Sequence, residues 1–178
     1  DLSAFQEQAG NWMVVGSVTV DPNTDIHQKK PASEKTKKKK KRKSKKSEDS
    51  VSQSGPVRYE AGTGILLNMN DETTKDNLLT SWEHGDILLE LEVMMPKGSN
   101  SGIYLQGRYE IQLLDSWGVK NPRYGDIGGI YRNWETEPEK IYMGKAPLTN
   151  AAKAPGLWQT MKIAFQAPKF DESGNKTA

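Results

Sequence analysis

Antiparallel β-structure is the fold class this sequence predicts: a sandwich of short strands in a single domain spanning residues 1–178. Three observations carry that expectation. Apolar and polar residues alternate at period two in several short stretches. Clusters of Gly, Pro, Asn and Asp, such as Asn23 to Asp25, Pro96 to Asn100 and Lys120 to Gly125, separate them. No long stretch repeats its apolar residues at i, i+3, i+4 as an amphipathic helix does. Many short strands with such turns imply a sandwich or barrel, and 178 residues suit one domain with a sizeable core.

The first strand is Trp12 to Val20, where Met13, Val15, Ser17 and Thr19 oppose Trp12, Val14, Val18 and Val20. Lys29 to Ser54 then differs in kind, being rich in Lys and Ser, without an aromatic residue, and with Val51 as its one branched apolar side chain. Such a segment cannot bury enough surface to fold, so it is expected to be a disordered insertion over residues 29–54. It is either a plain solvated loop or a contact for anionic surfaces. Gly64 to Asn68 is a weaker strand. The clearest is Asp86 to Met94, in which Ile87, Leu89, Leu91 and Val93 share one face while Glu90 and Glu92 take the other and must meet solvent. Gln159 to Ala167 alternates Met161, Ile163 and Phe165 against Thr160, Lys162 and Ala164, and stops at the turn-like Pro168 to Asn175.

The formal charge of +2 hides two opposed parts. Lys29 to Asp49 holds 12 of the 25 basic residues and 3 of the 23 acidic ones, leaving 13 basic against 20 acidic elsewhere, or −7. That remainder repels phosphate backbones, so nucleic acid is not an expected partner. The absence of cysteine excludes disulfides and thiolate metal sites. No apolar run approaches the roughly 20 residues of a membrane helix. The start at Asp1 without a methionine gives the expectation of a processed or excised chain.

Asn100 to Gly118 carries the chemistry. Its even positions Tyr104, Gln106, Arg108, Glu110 and Gln112 all end in hydrogen-bonding groups, while its odd positions are Ile103, Leu105, Tyr109, Ile111 and Leu113. As one bent strand or as a hairpin turning at Gly107, it presents one apolar face and one face dense in donors and acceptors. Planar amides, a guanidinium, a carboxylate and a phenol suit the hydroxyls of a sugar. The rings of Tyr104, Trp117, Tyr131 and Trp158 can lie against the apolar C–H face of a pyranose. An ordinary wet sheet face with structural aromatics is the alternative.

Within this stretch Glu110 and Asp115 flank Gln112, and one extra residue between Gln112 and Asp115 requires a β-bulge for all three to face alike. Two carboxyls beside one bond can divide the roles of proton donor and base. Asp115 can equally cap the turn at Ser116 to Gly118. His27 and His84 lie far apart, outside any metal-ligand spacing, and are read as non-catalytic. Gly128 and Gly129 precede no helix and form no phosphate loop; they allow close approach of two backbones.

The motifs Asn100-Ser101-Gly102-Ile103-Tyr104-Leu105-Gln106-Gly107, Tyr109 to Ser116, Gly129-Ile130-Tyr131, Asn150-Ala151 and Pro155-Gly156-Leu157-Trp158-Gln159-Thr160 together resemble the 3-keto-disaccharide hydrolase family of the concanavalin A-like lectin and glucanase superfamily. The resemblance implies a jelly-roll sandwich with its ligand on the concave sheet, an exported protein, and further C-terminal strands beyond Ala178. Related glucanases carry Glu-x-Asp-x-x-Glu where this chain has Glu110, Gln112 and Asp115, which disfavours ordinary double displacement. Leu157 and Arg132 also depart from the family pattern, with Leu157 where a Glu is common and Arg132 where a small residue is common.

The implied activity is cleavage of 3-keto-disaccharides or 3-keto-glycosides by proton abstraction, elimination and hydration; the alternative is a non-catalytic carbohydrate-binding module. Glu110, Asp115 and Tyr131 are the candidate catalytic residues. Tyr104, Gln106, Arg108, Gln112, Trp117, Asn150 and Trp158 are the candidate binding residues. The reaction needs a base, a donor for the leaving oxygen and polarisation of the ketone, the last by hydrogen bonds or by a divalent metal. No other cofactor is implied.

Overall fold

The structure, a computed structural model, describes residues 2–6, 10–28, 55–136 and 139–177. The expected insertion, residues 29–54, lies outside the described residues. The fold is all-β, with no helix among the described residues, and its antiparallel strands are grouped in small sheets. In chain order they are β1 (Trp12–Val20), β2 (Val57–Asn68), β3 (Ile87–Met94), β4 (Asn100–Leu105), β5 (Tyr109–Leu114), β6 (Asn133–Thr136), β7 (Glu139–Tyr142) and β8 (Trp158–Phe165).

The pairs are β1–β2, β3–β8, β4–β5 and β6–β7, all antiparallel. β2 is longer than its apolar signal: it pairs with the whole of β1 and absorbs a register shift opposite Gly16, where a Cβ would strike the Ala61 carbonyl oxygen at 2.9 Å. A close backbone approach of this kind leaves room only for glycine. β6 and β7 form a hairpin that apolar alternation does not announce.

Alternation in β3 and β8 separates two faces. Glu90 and Glu92 are exposed, and Glu90 pairs with Lys162 across the ladder at 3.0 Å. The opposite face carries Val93 and Met161, which pack with Ile103 and Ala152 against the buried cluster of Met95, Leu113 and Ile127. Since Ile103 and Leu113 are odd-numbered residues of β4 and β5, the β3–β8 ladder and the β4–β5 hairpin meet face to face, as the layers of a sandwich do. The Tyr109 and Phe165 rings, 5.7 Å apart, extend this contact toward the hairpin tip. The even-numbered face of β4–β5 therefore points away from the core.

Candidate active site

The stretch 100–118 is a hairpin. Gln106 and Gly107, both with positive φ (52° and 63°), make its turn, and Arg108 N–H donates to Leu105 O at 3.2 Å. The register about Gly107 is uninterrupted, setting Tyr104 opposite Glu110 and Gly102 opposite Gln112, and directly opposed residues share a face. A third stretch, residues 128–131, runs along the far side of β5. Gln112 N–H donates to Gly129 O, Tyr131 N–H to Glu110 O and Gly128 N–H to Gln112 O, each at 2.9 Å. With Ile111 bridged to Ile130, the backbone places Tyr104, Glu110 and Tyr131 in one row across three neighbouring stretches, and Gly102, Gln112 and Gly129 in the next.

Tyr104 Oη donates to Glu110 Oε2 at 2.8 Å. The other carboxylate oxygen, Oε1, lies over Gly102, where an added Cβ would collide with it and come within 2.8 Å of Glu110 Cγ and Cδ. The carboxylate is thus held between a phenol and a bare stretch of backbone. Partial burial of the phenol, then its bond to Glu110 and the charge beside it, push the Tyr104 pKa up to about 12, with a smaller push from Tyr131. Tyr104 stays protonated through the neutral range and remains a donor. Tyr104 as a residue is 54% exposed, so the row opens to solvent there.

Tyr131 is steadied edge-to-face by Tyr124, with centroids 5.4 Å apart. The loop that delivers it is tight because a Cβ at Gly129 would strike the Tyr124 carbonyl oxygen, so Gly129 does allow the close backbone approach its sequence suggests. Gln112, on the same face, is buried, and its Oε1 has no partner among the described residues.

The remaining candidates lie elsewhere. No bulge interrupts β5, and Asp115 follows its end, with Oδ2 accepting from Gly98 N–H at 3.0 Å and Oδ1 from Trp117 N–H at 3.3 Å. Both oxygens are therefore engaged in fastening loops. Asn150 does the same, donating to the carbonyls of Ser116 and Val119 at 2.7 and 2.9 Å and accepting from Ala152 N–H at 3.0 Å. Trp117 is exposed on the loop after β5, while Trp158 alternates with the inward Gln159 and Met161 and so lies on the outer face of β3–β8. Gln106 is tied to His84, donating from N to Nε2 at 3.4 Å and from Nε2 to the carbonyl at 3.1 Å. Gln106 and Arg108 line a separate cleft of about 420 Å³ at the hairpin tip, which neither Tyr104 nor Glu110 enters.

Gly102 and the Tyr104–Glu110 bond are the features that alternation alone misses; a glycine inside a strand pattern was the available signal. Among the described residues no three His, Asp or Glu side chains converge as metal ligands, so no step below is routed through a metal. Among the described residues, too, no helix is long and apolar enough to cross a membrane.

No curated protein and no solved structure matches the chain. A family model does, that of the 3-keto-alpha-glucoside-1,2-lyase-like domain, over residues 16–173. Covering most of the chain, this match places the protein among carbohydrate-related domains: it belongs to the 3-keto-alpha-glucoside-1,2-lyase-like family.

Proposed function

We propose that the protein is a carbohydrate-active enzyme that cleaves 3-keto-glycosides by elimination followed by hydration, with Glu110 as the base. The observation that carries this reading is the row Tyr104, Glu110, Tyr131, in which one carboxylate is oriented by a phenol on an open sheet face. In a sugar oxidised at C3, the ketone acidifies the C2 hydrogen. Glu110 Oε1, on the side away from the Tyr104 bond, takes that proton, and the electron pair forms a C1–C2 double bond as the C1–O bond breaks. The leaving oxygen takes a proton from Tyr131, which the backbone bond from its N–H to Glu110 O at 2.9 Å sets beside the base. Water then adds at C1 and a proton returns to C2, giving net hydrolysis. Tyr104 orients the base. The family's lyase-like description supports elimination as the bond-breaking step.

Glu110→Gln tests this. The amide still accepts the Tyr104 hydrogen bond but cannot take a proton. Turnover of a 3-keto-disaccharide should fall roughly 100- to 10,000-fold with sugar affinity nearly unchanged. Cleavage of the keto-sugar at the parent rate removes Glu110 from the mechanism. Binding without turnover in the parent protein favours the carbohydrate-binding module instead.

A further inference from the structure

We propose that the cleft at the tip of the β4–β5 hairpin is the subsite for the leaving sugar, so that a neutral disaccharide spans the Glu110 row and the cleft, with Phe170 as the platform for its second ring. This rests on Glu110 acting as the base, which decides which of the two rings carries the ketone. The cleft adjoins the Glu110 row through strand register. Ile111 bridges Ile130, Ile130 bridges Lys145, and the register of that last bridge carries on to Asn133 opposite Tyr142. Two residues from Glu110 and Tyr131 toward the hairpin turn stand Arg108 and Asn133, with Gln106 and Tyr142 to either side. All four line the cleft, which is therefore the next row of the same face. The step between rows is roughly 7 Å along an antiparallel strand, a distance that two linked sugar rings can bridge.

The rows also fix the direction. On the other side of Glu110 the next row is Gly102, Gln112 and Gly129, two glycines and a buried amide, which make a bare floor. Glu110 Oε1 lies over Gly102, so the keto ring presents its C2 hydrogen at that end. The C1 oxygen that Tyr131 protonates then departs toward Asn133 and Tyr142. The far wall of the cleft comes from beyond β8 and is firmly shaped. Phe170 is bridged to Lys176, Thr177 N–H donates to Lys169 O at 2.7 Å, and Asp171 Oδ1 accepts from the backbone N–H of Ser173 and Asn175 at 2.9 and 2.8 Å. Phe170 is nonetheless 60% exposed. A large ring held open to solvent on a fastened turn suits the C–H face of a pyranose. Tyr142 supplies a second ring, while Asn133 and Gln106, whose Nε2 is fastened to the His84 carbonyl at 3.1 Å, bring amides for hydroxyls.

The test is calorimetric titration of the full chain with maltose, trehalose and methyl α-glucoside, unoxidised sugars that lack the acidified C2 hydrogen and so stay intact under the elimination. At least one disaccharide should bind about tenfold more tightly than methyl α-glucoside, and Phe170→Ala should bring it down to the methyl glucoside's level. Turnover should follow the same pattern: kcat/KM for the matching 3-keto-disaccharide should exceed that for methyl 3-keto-α-glucoside about tenfold, and Phe170→Ala should abolish the difference. Tyr142→Leu should narrow the same ratio. Equal affinities for disaccharides and methyl glucoside in the parent protein overturn the proposal. So does a Phe170→Ala protein that keeps the parent's preference, or one that loses all three sugars alike, since the cleft would then hold the only ring bound. Parent-rate cleavage by Glu110→Gln removes the base and with it the assignment to the leaving sugar, whereas a tenfold disaccharide preference retained in that variant would still mark the cleft as the subsite of the second ring.

Discussion

Gly102→Ala separates the placement of Glu110 from its chemistry. Gly102 lies within β4 without a positive φ, so alanine is compatible with its backbone. Alanine at such a position should even stabilise by roughly 0.5–1 kcal/mol, by lowering the entropy of the unfolded chain. The new methyl, however, would occupy the place of the Glu110 carboxylate: it would collide with Oε1 and stand 2.8 Å from Cγ and Cδ. Ordinary contact needs about 3.5–4 Å, so the carboxylate must move by roughly 1 Å, and the Tyr104 bond at 2.8 Å must lengthen or break. A displacement of that size at a reacting group costs on the order of 100-fold in rate. Release of the reducing sugar from a 3-keto-disaccharide should therefore fall about 100-fold, with the thermal midpoint equal or higher and the Tyr104 titration shifted toward 10. That last change marks loss of the Glu110 bond, which a merely structural glycine would not produce. Full turnover in a folded Gly102→Ala protein would show that the observed carboxylate position is not the one used.

Further expectations concern Asp115 and Tyr104. Asp115→Asn turns one acceptor of a backbone N–H into a donor, so it should cost about 1–3 kcal/mol in denaturant unfolding and leave kcat within a few-fold. A selective loss of rate on poor leaving groups would instead make Asp115 the proton donor. The raised Tyr104 pKa means that the folded state binds this proton more tightly than the unfolded chain. Its contribution to stability is complete below about pH 10 and is lost as pH rises through about 12. Tyr104→Phe should remove the highest step of the phenolate absorbance titration and flatten alkaline unfolding over that window; an unchanged titration assigns the step to another tyrosine.

How much of this was legible depends on whether the relevant contact is local. β1 has the ends its alternation marks, although its ladder with β2 shifts register between Val15 and Ser17. β6 and β7 were not legible: Asn133-Trp134-Glu135-Thr136 has no apolar face, and the hairpin is held by its own ladder. Within 100–118, a turn at Gly107 suffices to place Tyr104 opposite Glu110, so half of the row follows from sequence once the hairpin is chosen over the bent strand. Alternation assigns a face but not a depth, which is why Gln112 shares the face of Glu110 yet is enclosed, while Tyr104 lies open. Alternation also ends with the strand: beyond Leu114 the side chain of Asp115 obeys the backbone donors of Gly98 and Trp117, not the pleat. Tyr131 reaches Glu110 through a pairing between residues 128–131 and β5, set by the tight 124–129 loop and by the two reciprocal bonds, each 2.9 Å, that join Ile130 to Lys145. The proposed base is thus fixed by a local hairpin and the proposed donor by a non-local pairing. A change in the 124–131 loop should therefore affect leaving-group protonation without disturbing the Tyr104–Glu110 pair.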